Sequence, residues 1–532
     1  MDLLNKLFKP KKKDDTKEMP REKGFADLRK NLQFFKERLK DCDDVVYREF
    51  SVGSKSQYGF AIIYVDGMVD KFLINEEILK SLMLEVTRSR PSPGLFSDNI
   101  YSLTLKGAVT SGEVKEEEYL DKAMTSLLSG DTLLLVDGYR KVIVIGSKGW
   151  TNRGVQEPQT ESVVRGPREG FSETLRINTS LLRRRLKDPN LKIKQLQMGK
   201  QSKTDIAVAY MDNIVNRGVL EEVNRRLEAI DIDGVMDSGY IEQMIEDNWF
   251  SPFPQVQNTE RPDKVAAALL EGRVAIICDN TPFVLLVPAT LNILFQASED
   301  YYERWFVASA IRLLRYVSAS VSYLFPAVYI AITSYHPGLI PTDLALYIAG
   351  TRSTVPFPAF IEALLMEATL ELLREAGIRL PGPIGQTIGI VGGLVIGTAA
   401  VDAGLVSPIM VIIVSLTAIA SFTISSYNIA IPFRLLRFML MLLALILGLY
   451  GIMIGILITL VHLCSLKSFG VPYLSPLVGT PYYELKDSFI KAPRISMQKR
   501  PESLSGGNDV RLRDKRREGP GKGGKSENGK KR

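Results

Sequence analysis

Between Ile384 and Phe433 the chain carries one charged side chain, Asp402. A run this long without ion-forming residues cannot face water on all sides, and it exceeds the roughly 20 apolar residues that one bilayer crossing needs. It follows Val355–Pro381, which is apolar yet holds Glu362, Glu367 and Glu371, opens on Pro356 and Pro358, and closes at Pro381-Gly382-Pro383. Carboxylates are costly at membrane depth, so these three intramembrane carboxylates are expected to face protein or water. The helix expected from Ile384 to about Ala400 has glycine at 385, 389, 393 and 397. Small residues at every fourth position form one face that admits another helix backbone, so Gly385, Gly389, Gly393 and Gly397 are expected to pack helices in lipid.

The rest of the chain differs. Mean hydropathy over all 532 residues is near zero, at +0.04. That average hides a split, because the first ~290 residues alternate charged and apolar segments as a globular protein does. Cys42, Cys278 and Cys464 are odd in number and far apart, which implies neither a disulfide framework nor a metal cluster. Two histidines, His336 and His462, leave little scope for histidine catalysis. The N-terminus is basic but lacks the apolar run of a signal peptide, so the N-terminal part is expected to be cytoplasmic. From Asp487 to Arg532 there are 14 Lys/Arg against 6 Asp/Glu, a net +8 that accounts for the formal charge of +7. This Gly/Ser-biased tail is read as solvated and mostly disordered. Contact with anionic lipid is a second reading. Without interleaved aromatics, nucleic acid is not an expected partner.

Within the first half an order of elements repeats. Val52–Lys71 aligns with Met198–Arg217 at an offset of 146, placing Gly53, Ser56, Ala61, Tyr64, Asp66 and Val69 on Gly199, Ser202, Ala207, Tyr210, Asp212 and Val215. Asp121–Gly138 aligns with Asp263–Asn280 at an offset of 142. Two registers in the same order imply two duplicated α/β subdomains. Their recurring aspartates suit turns better than a metal pair, since Asp-Gly and Asp-Asn tolerate positive φ. Lys141–Ile145 is expected to close a hairpin on Thr132–Val136. Gly199-Lys200 lacks the spacing of a phosphate loop. Arg183–Arg185 reads as a solvated or interdomain face before a ligand site.

The expected organisation is a flexible basic leader (1–24), α/β subdomains at 25–150 and 151–298, an interfacial helix (299–316), a polytopic α-helical transmembrane domain (317–466) and a tail (467–532). Arg304, Arg312 and Arg315 suit the cytoplasmic interface. Clear spans are Val317–Ser334, Ile384–Ala403, Ser407–Asn428 and Leu435–Leu466, the last unusually long. Leu344–Ala376 either crosses or is re-entrant. Four crossings keep both termini on one side.

EDYYERWF (Glu299–Phe306), VPFPAFIEALLMEATLELLREAGIRLP (Val355–Pro381), IGQTIGIVGGLVIGTAAVDAGLVSPIMVII (Ile384–Ile413) and SLKSFGVPYLSP (Ser465–Pro476) closely resemble the A subunit of GerA-type spore germination receptors. The resemblance covers about Asp27 to Pro493. It implies a non-enzymatic, cofactor-free subunit of a nutrient-sensing complex in the spore inner membrane. Its implied partners are a transporter-like B subunit, a lipoprotein C subunit, lipid and further copies of itself around an ion-conducting pore. Nutrient binding would belong mainly to the B subunit.

Thr387, Val391, Leu394, Thr398 and Asp402 follow steps of 4, 3, 4 and 4, hence one helix face. In a ring that face would line a pore, with Val391 and Leu394 as a constriction gating by dewetting. The alternative is buried packing, with Thr387 and Thr398 bonding between helices. For Glu362, Glu367 and Glu371 a cation vestibule stands against pairing with Arg374 or Arg379. A scaffold that organises a conducting partner competes with the channel. A secondary transporter is disfavoured, because no inverted repeat is visible in the membrane half. An enzyme is disfavoured for want of a nucleophile–base or metal-ligand constellation.

Overall fold

The computed structural model describes residues 22–52, 58–80, 82–83, 113–149, 157–158, 160–379, 397–478, 484–506 and 508–512. The chain divides into two compact units, Met1–Asn152 with Arg183–Leu191, and Arg153–Leu182 with Lys192–Arg532.

The first unit is built on helix α1 (Leu28–Arg38), strands β1 (Val45–Val52), β2 (Tyr58–Val65) and β3 (Val114–Glu117), helix α2 (Leu120–Leu127), and strands β4 (Thr132–Val136) and β5 (Val142–Ile145). The sheet order is β1-β2-β4-β5-β3, antiparallel throughout. Side chains alternate across a strand, so Ala61, Ile63, Leu133 and Leu135 pack under α1 and α2. Phe60, Ile62, Leu134 and Val136 pack on the other face against Ile74 and Ile78. Both faces are covered, which is why β4 and β5 read as continuous apolar runs. Arg183, expected on a solvated or interdomain face, is fully buried in this unit. Its Nε and Nη2 donate to Asp44 at 2.7 and 2.9 Å, and its Nη1 donates to the Leu191 carbonyl at 2.8 Å. Bidentate pairing is what makes a buried guanidinium tolerable.

The second unit begins with α3 (Leu175–Arg185), β6 (Leu191–Met198), β7 (Thr204–Met211), α4 (Arg217–Glu228), α5 (Ser238–Ile245), β8 (Gln257–Thr259), α6 (Pro262–Leu269), β9 (Val274–Cys278) and β10 (Val284–Val287). Its sheet order, β6-β7-β9-β10-β8, is that of the first. The registers coincide too. Ala61 faces Leu135 as Ala207 faces Ile277, and Leu134 faces Ile143 as Ile276 faces Leu285. These equivalences carry the offsets of 146 and 142 found in the sequence. The repeated aspartates serve the backbone. Asp137 accepts from the Leu28 amide at the start of α1, and Asp279 from the Leu175 amide at the start of α3. Gly138 and Asn280, which follow them, both take positive φ. Asn31 and Asn178, both buried, each clamp the entry loop of their helix through amide and carbonyl (Phe25 and Ser172).

A short turn, α7 (Leu291–Leu294), leads into the helical half: α8 (Trp305–Tyr335), α9 (Thr342–Arg352), α10 (Ala359–Arg379), α11 (Pro408–Phe422), α12 (Tyr427–Leu447) and α13 (Leu449–Ser465). Pro356 and Pro358 separate α9 from α10. Among the described residues α8 and α12 are long and apolar enough to cross a membrane, while α11 and α13 are shorter apolar helices. The run Leu435–Leu466, expected as one long span, is two helices. Gly448 breaks it at φ +60°, and Gly455 on α13 lies so close to Leu440 on α12 that a side chain there would collide. Phe422, Ile446, Tyr450 and Met453 are among the large apolar side chains left exposed on this half.

The tail expected to be mostly disordered carries a two-residue ribbon, β11 (Lys467–Ser468) with β12 (Val471–Pro472). Phe469 and Val471 join the apolar core beneath the second sheet. Further on, Arg500 donates to the Leu270 carbonyl at 2.7 Å, and Arg511 pairs with Glu271 at 2.5 Å.

Candidate functional site

Two ionic networks lie in the second unit, and both involve arginines set in apolar sequence. The first joins α10 to α12. Arg437 Nη2 lies 2.7 Å from Glu367 Oε2 and 3.3 Å from Glu371 Oε1. Glu371 also meets Arg374 at 2.7 Å and Arg434 at 3.3 Å. Arg374 reaches on to Ser421 at 3.0 Å and stacks over Phe422. Arg437 and Glu367 are each 1% exposed. Their contact is ionic rather than a well-aligned hydrogen bond, because both Glu367 oxygens and Arg437 Nε and Nη1 lack a hydrogen-bond partner among the described residues. Three guanidiniums around two carboxylates leave the cluster net positive, which repels cations in this conformation. Of the two sequence readings the geometry is that of pairing, with Arg374 as expected, but also with Arg434 and Arg437. Arg379 pairs with Glu375 instead.

Glu362 stands apart. Fully buried, it meets Arg352 Nε at 3.2 Å and accepts from the Ser407 amide at 2.9 Å, at the start of α11. A carboxylate there offsets both the arginine and the positive end of the helix dipole.

The second network lies where the α/β part enters α8. Asp300 accepts from Arg315 Nη1 at 2.8 Å and from Arg312 Nε at 3.3 Å. Arg312 Nη1 donates to Asp487 Oδ1 at 2.9 Å and to the Ser488 carbonyl at 2.9 Å. The Tyr301 hydroxyl donates to Asp487 Oδ2 at 2.8 Å, and burial with the Asp487 charge raises its pKa well above the ordinary value. Arg312, expected at a wet interface, is 0% exposed. A single buried guanidinium thus ties the α/β part, the first long apolar helix and the C-terminal segment.

Thr387, Val391 and Leu394 of the expected pore face, and Gly385, Gly389 and Gly393 of the glycine stripe, lie outside the described residues. Thr398 and Asp402 are exposed. Gly397 is buried, and a Cβ there would meet Val411 Cγ1 at 3.4 Å, an ordinary contact. No group of three or more His, Cys, Asp or Glu suited to a metal occurs among the described residues. Sequence reasoning missed Asp487 and the Arg437–Glu367 pair. The available signal was arginine recurring within apolar runs, which obliges a buried partner.

The family model described as Bacillus/Clostridium GerA spore germination protein matches residues 33–503. The chain is 47% identical to the "Uncharacterized membrane protein YfkQ" of Bacillus subtilis, over 90% of this chain and 92% of that one. It is 45% identical to "Spore germination protein KA" of the same organism, over 91% and 88%. Among solved structures, the N-terminal domain of the A subunit of the Bacillus megaterium spore germinant receptor GerK3 is 35% identical, over 51% of this chain and 98% of that one, with a TM-score of 0.41.

Proposed function

This chain belongs to the GerA family of spore germination receptor A subunits, and on that premise we propose that it transduces nutrient binding into ion release across the spore inner membrane. In this reading it is a non-enzymatic, multi-pass subunit that assembles with B and C subunits and with copies of itself as a nutrient-gated ion channel. The observation that carries transduction is Arg312. It binds Asp300 and Asp487 together at the root of α8, which couples that helix to the stretch leaving the α/β part and to the C-terminal segment. A ligand acts by binding the complex more tightly in the open arrangement. The face Thr387–Asp402 supplies the path, with Val391 and Leu394 as its constriction.

The experiment is cysteine accessibility at positions 387, 391, 394 and 398 in the reconstituted receptor, with and without nutrient. Labelling that rises with nutrient, and no longer does so in Asp487→Asn, supports a gated path driven through this node. Uniform protection in both states sinks the channel reading. The scaffold reading would then stand, favoured by the arginine-neutralised Glu367 and Glu371.

A further inference from the structure

We propose that a cleft in the second unit, walled by α6, the stretch Ile293–Tyr302 and the C-terminal segment, binds a small organic anion that also carries a hydroxyl or ammonium donor. The inference goes beyond the channel reading and does not depend on it.

The cleft has a volume of about 420 Å³, within the range that holds small-molecule ligands. Arg273 lies in its wall and is 2% exposed. It donates to Gln257 Oε1 at 2.7 Å and to the carbonyls of Pro288 and Leu286 at 2.9 and 3.1 Å. No carboxylate among the described residues touches it. Arg500, also buried, spends its Nε and Nη1 on the carbonyls of Leu270, Asn508 and Val510. Burial lowers the pKa of both, Arg273 to about 10. Two buried guanidiniums served by neutral acceptors form a site short of negative charge.

The carboxylates lining the cleft supply it only in part: Glu271 lies near both guanidiniums but is shared with a third arginine. Glu271 is held by Arg511 at 2.5 Å. Asp263 Oδ2 is taken by Arg261 and Tyr302, at 3.1 and 2.5 Å. What remains is an acceptor in want of a donor, since Asp263 Oδ1 is buried with no hydrogen-bond partner, as is Ser298 Oγ. A ligand with an anionic end and a donor satisfies both deficits. Its walls come from stretches some two hundred residues apart in the chain, so occupancy also fastens the tail to the α/β part.

The test is calorimetric titration of the purified full-length chain in detergent with citrate, which has carboxylates and a hydroxyl, and with inorganic sulfate, which has no donor, against sodium chloride at equal ionic strength. Amide exchange at Gly506 is followed in parallel. The expected result is saturable citrate binding that slows this exchange and weakens at least tenfold in Arg273→Gln. Sulfate is expected to bind more weakly, for lack of a donor group. Because Arg273 also braces the sheet, Ala267→Trp is the second variant: Ala267 is exposed at the cleft and makes no polar contact, and its enlargement should abolish binding in a folded chain. No saturable citrate binding, sulfate binding equal to citrate, or binding untouched by Ala267→Trp overturns the proposal.

Discussion

The amide of Gly506 donates to the carbonyl of Ile214 at 2.9 Å, and its neighbour Ser505 bridges Val215. In the first unit Gly149 donates to Met68 at 3.1 Å and Lys148 bridges Val69. The offset of 146 maps Met68 and Val69 onto Ile214 and Val215. The C-terminal segment therefore fills, in the second copy of the fold, the place that the residues just after β5 fill in the first. Both positions require glycine, since a Cβ would lie 2.5 Å from Val215 O at one and 2.5 Å from the Asp70 amide at the other.

Gly506→Val should detach this segment while leaving the sheet intact. Limited trypsin digestion of the detergent-purified chain is expected to cut after Lys499 faster by tenfold or more. Unchanged protection would mean that the bridge contributes little to docking.

The Arg437–Glu367 pair lends itself to a double-mutant cycle. Arg437→Met alone takes from the buried Glu367 its nearest cation, at a cost of about 3–5 kcal/mol. Combining it with Glu367→Leu removes both charges and should recover most of that loss. Thermal unfolding in detergent reads the difference. Additive effects of the two changes would show that the contact is not coupled.

Stability should depend on pH through Glu242. Burial, then the charges of Glu246 and Asp237, push its carboxyl up to about 7 from an ordinary 4.5. Between those values the folded state keeps a proton that the unfolded state has lost, so stability falls as pH rises through this window and levels off above it. Glu242→Gln removes the slope. Amide exchange at Ile241 and Ile245 should be slower than in the parent at pH 8 and equal near pH 4.

Asn31 and Asn178 make the same clamp in the two copies; alanine at Asn178 should cost about 1–3 kcal/mol by leaving buried Ser172 backbone groups unpaired, and less at Asn31, whose partner Phe25 is exposed. Exchange protection should drop locally, in α1 for Asn31→Ala and in α3 for Asn178→Ala. Loss of protection spread evenly over the whole chain would contradict two separately clamped helices.

Much of the α/β architecture was legible from residues alone. Turn aspartates and glycines recur at constant offsets because each copy needs the same backbone bends, and the central strands read as short apolar runs because both sheet faces are covered. The helical half was legible as apolar, since Ile384–Phe433 admits few other readings. The course of Leu435–Leu466 was not, because uniform leucine and isoleucine carry no mark of where a hairpin folds, and Gly448 is one glycine among several. Local pattern thus determined which segments form strands and helices, and which repeat. Only the tertiary structure decided which charges meet. Arg312 finds Asp487 across 175 residues and Arg437 finds Glu371 across 66, because the pairing of a buried charge is set by packing in three dimensions and leaves no periodicity in the chain.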